Sequence, residues 1–298
     1  MKKIQQLLFL TLIFLNCSII FTIHNVLADW QRDVDVKATY NYTYQNHSYN
    51  GNGGVFYLSA SNDCTMRGTK FDWNSATGYG GAVYNLGTLD MRSTNYYYNS
   101  AKFGGAFYNG SNGKTTINSS RFSLNKAEKG GAIANYGSLT IDNTVFENNK
   151  STVNGGGAIA NYGTLTIRNG TKFTSNTSAD GGAAIYNGNG TLNLVANTSN
   201  IEFTSNTANG VSNAIYDNGR TINLYSSNKA SIIFNDRITS VNNSSILNIN
   251  KTSGSLPTTG KIILNESMNG YKGTVNLYGG ELKLQAKTKG NSNINTNK

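Results

Sequence analysis

The feature that most constrains this chain is a repeat of about 25 residues. Gly-Gly pairs open at residues 53, 80, 104, 130, 156 and 181, so successive pairs lie 27, 24, 26, 26 and 25 residues apart. A second motif, aromatic-x-x-Asn, follows in step and begins at Phe71, Tyr96, Phe122, Phe146, Phe173 and Phe203. A unit this short cannot bury an apolar face alone, so the repeats must stack on one another.

A short alternating run of apolar and polar residues lies between the two motifs in each unit. The runs are Cys64-Thr-Met66, Leu89-Asp-Met91, Thr115-Thr-Ile117, Leu139-Thr-Ile141, Leu165-Thr-Ile167, Leu192-Asn-Leu194 and Ile222-Asn-Leu224. Alternation predicts a strand with one buried face. Each unit therefore offers three short strands: one after the Gly-Gly pair, one at the alternating run and one at aromatic-x-x-Asn. No part of the unit has a helical period.

We predict an all-β fold, a parallel β-helix of about seven coils with further β coils near the C-terminus. Coils in such a fold rise about 4.8 Å each, which is the spacing between paired strands. A β-propeller is excluded, because its blades need four strands over about 40 residues. The expected segments are a signal peptide (1–28), an N-terminal cap region (29–50), the β-helix repeats (51–240), and terminal β coils with a basic polar tail (241–298).

Stacked coils place equivalent side chains in rows along the axis. Two rows of asparagine result: residues 85, 109, 135, 161 and 187, and residues 74, 99, 125, 149, 176 and 206. Side-chain amides in register can hydrogen-bond along the axis, so we interpret both rows as structural. The aromatic row is predicted to stack in the core rather than to form a sugar-binding platform. Cys64 takes a position that other units give to Leu or Ile, which predicts a buried hydrophobe rather than a reactive thiol.

The N-terminal segment has the organisation of a secretory signal peptide. Lys2 and Lys3 precede an apolar run, and small residues allow cleavage after Ala28. The alternative for this segment is a single membrane anchor. No second apolar stretch is long enough to span a bilayer as a helix. Cleavage takes the formal charge from +10 to +8 and leaves one cysteine, Cys64, and one histidine, His47, which we place in the cap.

Scarce histidine and dispersed acidic residues argue against an enzyme. Two histidines leave nothing for His-based metal sites or triads, so no metal and no cofactor are expected. Polysaccharide lyases and hydrolases, which β-helices often host, need clustered carboxylates. The weak candidates for such a site are Asp90, Asp142, Arg92 and Arg168, one or two coils apart. The lysines of the basic C-terminal tail are interpreted as solvating residues, so no nucleic-acid partner is expected.

One outward stripe collects charged residues after the alternating runs. Its members are Arg67, Arg92, Asn118, Asp142, Arg168, Val195 and Tyr225. One interpretation is an exposed ion pair between Asp142 and Arg168 on adjacent coils, which would be weak in energy. The other is a polar groove for an acidic polysaccharide.

GGAI at 130–133 and 156–159, with FENN at 146 and FTSN at 173 and 203, resembles the GGAI and FxxN repeats of chlamydial polymorphic membrane proteins and similar autotransporter passengers. The resemblance covers about residues 50–240, and the segment 273–284 looks like the closing coils of such passengers. It implies a right-handed β-helix, exported to the cell surface, outer membrane or extracellular space. It also implies an adhesin whose partner is a host-cell or matrix surface molecule, with polysaccharides among the candidates.

In that family the repeat motifs are implicated in adhesion. The resemblance therefore implies an adhesive role for the sixteen residues of this sequence that match the motifs. They are Gly130, Gly131, Ala132, Ile133, Gly156, Gly157, Ala158, Ile159, Phe122, Asn125, Phe146, Asn149, Phe173, Asn176, Phe203 and Asn206. Family members continue into a C-terminal outer-membrane barrel, whereas 14 residues that end polar and basic follow Leu284 here, as expected for a truncated product or for a protein that is released or held by something else. Anchoring by such a barrel is therefore not carried over.

Overall fold

The computed structural model describes residues 38–285 and 293–296. The expected signal peptide lies outside the described residues. The fold is all-β: short strands stack in parallel into four sheets that form a β-solenoid of about nine turns. The predicted class of fold is confirmed, while right-handed winding stays a prediction from the resemblance. The described residues include no helix with the length and apolar character needed to cross a bilayer.

Each regular coil contributes one strand to each sheet, and we number the sheets from the Gly-Gly pair onward. Sheet 1 consists of Phe56–Leu58, Val83–Asn85, Phe107–Asn109, Ile133–Asn135, Ile159–Asn161, Ile185–Asn187, Ile215–Asp217 and Ile238–Ser240. Sheet 2 consists of Ala38–Tyr40, Asp63–Arg67, Thr88–Arg92, Lys114–Asn118, Ser138–Asp142, Thr164–Arg168, Thr191–Ala196, Thr221–Ser226, Ile246–Ile249, Thr274–Leu277 and Asn293–Thr296.

Sheets 3 and 4 complete the coil. Sheet 3 consists of Thr43–Gln45, Lys70–Asp72, Asn95–Tyr97, Arg121–Ser123, Val145–Glu147, Lys172–Thr174, Ile201–Thr204, Ser231–Phe234, Lys261–Leu264 and Glu281–Leu284. Sheet 4 consists of Ser48–Tyr49, Ser75–Ala76, Ser100–Phe103, Lys126–Lys129, Lys150–Asn154, Thr177–Asp180, Thr207–Ala208 and Val211–Ser212. Strands therefore begin at Ala38, within the segment expected to be a cap.

Sheet 4 is a fourth strand per coil that the repeat pattern does not predict. Its strands are short and polar, as in Lys-Ala-Glu-Lys at 126–129 and Ser-Ala at 75–76. Alternation over two to four residues is too brief to stand out from a loop. Pairing with the coils on either side holds these strands in place, because their backbone groups bond to neighbours along the axis.

The repeat builds the core because identical residues pair in register. Ile133 pairs with Ile159, Ile141 with Ile167 and Phe146 with Phe173. The Gly-Gly pair makes the corner before sheet 1 possible. Gly130 has a φ of 62°, and a Cβ on Gly131 would lie 2.1 Å from the carbonyl oxygen of Gly157 on the next coil. The first glycine is needed for its conformation and the second for the close approach of coils.

The predicted aromatic row is a continuous buried stack, and it is two rings longer than the motif suggests. Its rings are Tyr44, Phe71, Tyr96, Phe122, Phe146, Phe173, Phe203 and Phe234. Neighbouring centroids lie 4.5–5.4 Å apart and neighbouring planes are within 16° of parallel. The stack is core, as predicted, and leaves no ring face for a sugar.

Both predicted asparagine rows are buried hydrogen-bonded ladders. In the ladder after sheet 3, Asn125 Nδ2 donates to Asn149 Oδ1 at 3.0 Å, and Asn149 Nδ2 donates to Asn176 Oδ1 at 3.0 Å. Each amide also bonds to backbone, as Asn149 Nδ2 does with the Phe122 carbonyl at 2.9 Å. His47 takes the first position of this row, and its backbone N–H donates to Asn74 Oδ1. The rows are thus structural elements of the interior.

Candidate ligand-binding surface

The sixteen motif residues to which the resemblance assigns adhesion are all buried. Gly130 and Gly156 form corners, Ile133 and Ile159 fill the core, and Phe146 lies within the aromatic stack. A partner outside the coil cannot touch them. Any ligand must contact the outward side chains that the repeat holds in place.

The charged stripe on sheet 2 differs from the pairing expected for it. Arg92 Nε donates to Asp90 Oδ2 on its own strand at 3.0 Å, and both side chains are partly exposed. Among the ion pairs of residues 38–285, none joins Asp142 to Arg168. The expected cross-coil pair between Asp142 and Arg168 is therefore wrong. The ion pair on this stripe joins Arg92 to Asp90, because side chains two residues apart on one strand lie on the same face and can meet directly.

Asp142 lines a shallow polar depression of about 400 Å³ beside sheet 2. Its lining residues are Asn118, Asp142, Asn143, Asn169, Thr198 and Ser199. Asp90 lies two coils away, so the two carboxylates are not paired across one site. The described part of the chain contains no group of three His, Cys, Asp or Glu side chains that could hold a metal ion. The four weak catalytic candidates therefore do not form an acid–base pair.

The corner between sheets 3 and 4 has left-handed backbone in seven successive coils. The residues at this position are Asn46, Trp73, Tyr98, Leu124, Asn148, Ser175 and Ser205, with φ between 53° and 60°. Across the described chain, thirteen residues other than glycine have positive φ, and ten of these are Asn or Ser. The three exceptions are Trp73, Tyr98 and Leu124, and they occupy consecutive coils. Asparagine is tolerated in this conformation, whereas bulky side chains are strained there.

These three exceptions, which we call the aromatic corner, project into solvent. Trp73 is 58% exposed, Tyr98 42% and Leu124 39%. The Trp73 and Tyr98 rings stack with centroids 4.1 Å apart and planes 4° from parallel. The aromatic corner is therefore a pre-formed, rigid apolar surface about three coils long. Apolar surface displayed on strained backbone is a feature of binding sites rather than of core packing.

A groove on sheet 4 continues along the axis from the aromatic corner. It has a volume of about 440 Å³ and is lined by Lys150, Ser151, Thr152, Thr177, Ser178, Ala179, Thr207 and Gly210. A β-bulge between Ser151 and Asn154 borders it on one side. An antiparallel hairpin, 207–212, turns through Asn209 and Gly210 at positive φ on the other. We call this depression the sheet-4 groove; it lies where the coil departs from regularity.

Two lysines join the aromatic corner to the sheet-4 groove. Lys126 and Lys150 are exposed and directly opposite each other on neighbouring strands. Neither takes part in an ion pair within the described residues. Of the acidic groups nearby, Glu147 pairs with Arg121, while Glu128 lies two residues from Lys126 on the same face of its strand and takes part in no ion pair among the described residues. Lys126, Lys129 and Lys150 outnumber this one carboxylate, so the net charge at this place is positive.

Sheet 1 carries a further outward row, a ladder of half-buried tyrosines. Its members are Tyr57, Tyr84, Tyr108, Tyr136, Tyr162, Tyr186 and Tyr216. Most of these rings stack face to face, as Tyr84 does on Tyr108 at 4.9 Å, so only their edges face outward. Burial raises the pKa of Tyr84 and Tyr136, which keeps these phenols protonated.

The repeat pattern does not single out the outward residues of this surface, although part of the signal is in the motif. The third letter of aromatic-x-x-Asn is Trp, Tyr and Leu in FDWN, YYYN and FSLN, and then Asn or Ser in later units. The tyrosines could also have been found, since each unit has one within GGAVYNLG, GGAFYNG or GGAIANYG. The backbone conformation that gives the third letter its meaning is not visible in the sequence.

Comparison with known families finds a match within the repeat region. The model of the Chlamydia polymorphic membrane protein (Chlamydia_PMP) repeat matches residues 143–162. No curated protein and no solved structure matches the chain significantly. The matched segment runs from the sheet 3 strand Val145–Glu147 to the sheet 1 strand Ile159–Asn161. The chain therefore contains a segment similar to this repeat, set in a parallel β-solenoid.

Proposed function

We propose that the chain is a surface-exposed adhesive β-helix of the polymorphic membrane protein type, which attaches the bacterium that exports it to a host-cell or matrix molecule. The observation that carries the proposal is the position of the repeat match. Residues 143–162 make three of the four strands of one coil, and the strands of sheets 3 and 1 pair in register with the coils before and after. The same structural unit therefore extends well beyond the matched segment.

The distribution of side chains supports a binding role over a catalytic one. Inward positions are occupied by stacked rings, aliphatic residues and amide ladders. Outward positions present aromatic, hydroxyl and amide groups over the length of the solenoid. Solenoids use such long faces as binding surfaces. Polysaccharide cleavage would need a pair of carboxylates on one site, and the described candidates lie two coils apart.

A binding assay with the purified chain tests the proposal. Fluorescently labelled protein is added to cultured epithelial cells and to immobilised matrix polymers, and bound protein is measured against concentration. We expect saturable attachment that unlabelled protein displaces. The control is the variant Phe146→Ala with Asn149→Leu, which opens a cavity in the stack and interrupts a buried ladder. Attachment that does not saturate, or that equals the binding of this misfolded control, would refute the proposal.

Export is tested separately. Proteinase added to intact bacteria should degrade the chain while a cytoplasmic marker stays whole. Survival of the chain in intact cells, with degradation only after lysis, would contradict surface display.

A further inference from the structure

We propose that the aromatic corner and the sheet-4 groove together form one binding surface for an anionic polysaccharide that lies along the solenoid axis. The inference rests on the proposed attachment function and says where the ligand binds and what chemistry it has. Three independent observations carry it: strained apolar residues, unmatched lysines and a hydroxyl-lined groove, all on consecutive coils.

The strained residues serve no purpose in the interior. At the same corner, Asn46, Asn148, Ser175 and Ser205 make the turn with side chains that suit left-handed backbone. Trp73 and Tyr98 replace them with large rings that remain about half exposed. The chain thus accepts strain and exposes apolar area on three consecutive coils. These side chains do not stabilise the interior, so contact with a ligand is the role that explains them.

The positive charge of the two lysines also points to a ligand. Like charges directly opposite each other on neighbouring strands are destabilising. Lys126 and Lys150 have this arrangement and no ion pair among the described residues. A sulfate or carboxylate placed between the two ammonium groups would offset their repulsion. The ligand is therefore anionic.

The lining of the groove distinguishes a polysaccharide from an acidic peptide. Thr177 and Thr207 offer hydroxyls that can both donate to and accept from sugar hydroxyls, and Thr152, which donates to the Ala127 carbonyl, can accept. Peptides commonly dock on β-sheets by adding a strand to an open edge. From Lys126–Lys129 to Thr207–Ala208 each strand of sheet 4 is paired on both sides, and the free edge of the sheet, at Val211–Ser212, borders only the end of the groove.

The length of the surface suits a linear polymer. Five coil steps separate Trp73 from Thr207, which corresponds to roughly 24 Å at the spacing of paired strands. Apolar ring surface at the N-terminal end can pack against the C–H faces of sugar rings. Positive charge follows in the middle, and the hydroxyls come last. One oligosaccharide of several units can contact all three.

Dextran sulfate is the probe for this proposal, with unsulfated dextran of equal length as the neutral comparison. Binding to the full chain is measured by titration calorimetry at physiological salt. The first variant combines Trp73→Asn, Tyr98→Asn and Leu124→Asn, which introduces the residue that Asn46 and Asn148 already place at this corner. Folding is therefore preserved. The second variant combines Lys126→Gln with Lys150→Gln.

The matched control combines Lys114→Gln with Lys229→Gln, which removes the same charge from two exposed positions elsewhere. We expect the chain to bind dextran sulfate and not dextran. Each test variant should bind at least tenfold more weakly, and the control should stay within twofold of the native chain. Test variants that bind like the native chain would overturn the proposal. Poly-glutamate binding as tightly as dextran sulfate, with the same loss in both variants, would assign the surface to an acidic peptide and overturn it as well.

The cell assay separates this inference from the proposed function. Native protein that attaches to cells, with both test variants attaching equally well, would leave adhesion standing and refute the assigned surface. Native protein that does not attach would refute adhesion itself.

Discussion

The side-chain amide of Asn206 donates to Asp236 Oδ2 at 2.6 Å, and with this bond the longer buried ladder ends in a carboxylate. The ladder next to sheet 1 ends in the same way, since Asn187 Nδ2 donates to Asp217 Oδ1 at 2.8 Å. Within both ladders the amides donate toward the C-terminus, so the last group receives a hydrogen bond and has no further acceptor to reach. A carboxylate accepts without donating and therefore closes the row.

At the end of the longer ladder, a carboxylate should stabilise the folded chain more than an amide does. In Asp236→Asn the new NH2 group would face donors from the backbone of Ser205 or from Asn206. A buried donor without an acceptor costs about 1–3 kcal/mol, and we expect the free energy of unfolding to fall by about this much. Denaturant unfolding measures it. The control Asp142→Asn, at the surface, should change it by less than about 0.5 kcal/mol. Equal effects would contradict the closing role of Asp236.

Burial also gives Asp236 a pH dependence with a definite sign. Desolvation raises the pKa of its carboxyl above 3.8, although hydrogen bonds from Asn206 partly oppose this. The folded state then binds the proton more tightly than the unfolded state, so stability from this group is greatest below pH 3.8 and is lost as pH rises through the folded pKa. The difference in unfolding free energy between native and Asp236→Asn should change over this window and be constant above it. A difference independent of pH would contradict the raised pKa.

The repeat predicts the interior far better than the surface, and the reason is physical. Phe146 and Phe173, or Ile141 and Ile167, pair with copies of themselves, so each coil constrains the next and the sequence repeats. Outward residues have no such constraint and vary from coil to coil. Trp73 is unusual because its backbone is left-handed, and no sequence pattern shows this. Asp236 interrupts a row of asparagines in the sequence, and only the direction of the hydrogen bonds explains why a carboxylate stands there.

The tyrosines of the sheet 1 ladder come from two different positions of the repeat motif. Coils with Tyr84 or Tyr108 in the strand give way to coils with Ala134 in the strand and Tyr136 two residues later, and the rings still stack: Tyr108 and Tyr136 lie 5.3 Å apart. Ala134→Tyr alone should overpack the ladder and cost about 1–3 kcal/mol. Adding Tyr136→Leu, which copies the order around Tyr84, should restore most of the loss. Thermal unfolding of the four chains measures the coupling, and purely additive effects would contradict a shared ring position.

The thiol of Cys64 should be unreactive while the chain is folded. It is 5% exposed, and burial raises its pKa to about 12, so very little thiolate exists at pH 8. Cys17, the second cysteine of the sequence, lies in the expected signal peptide and is replaced by serine for this test; iodoacetamide at pH 8 should then label Cys64 only after denaturant is added. Labelling is followed by mass spectrometry. Fast labelling of the folded chain would show that the N-terminal coils open to solvent.

Single substitutions at Trp73 test the strain on which the proposed binding surface depends. The residue adopts a φ of 57°, a conformation that costs ordinary side chains about 1–2 kcal/mol, while its stack on Tyr98 returns about 0.5–1.5 kcal/mol. Trp73→Asn should therefore change the free energy of unfolding by less than about 1 kcal/mol. Trp73→Val loses the same stack and keeps a strained, β-branched side chain, so it should be clearly less stable than Trp73→Asn. Denaturant unfolding ranks the two variants. If the valine variant is as stable as the asparagine variant, the left-handed backbone at Trp73 does not lower the stability of the fold. The exposed rings would then require no ligand to explain them.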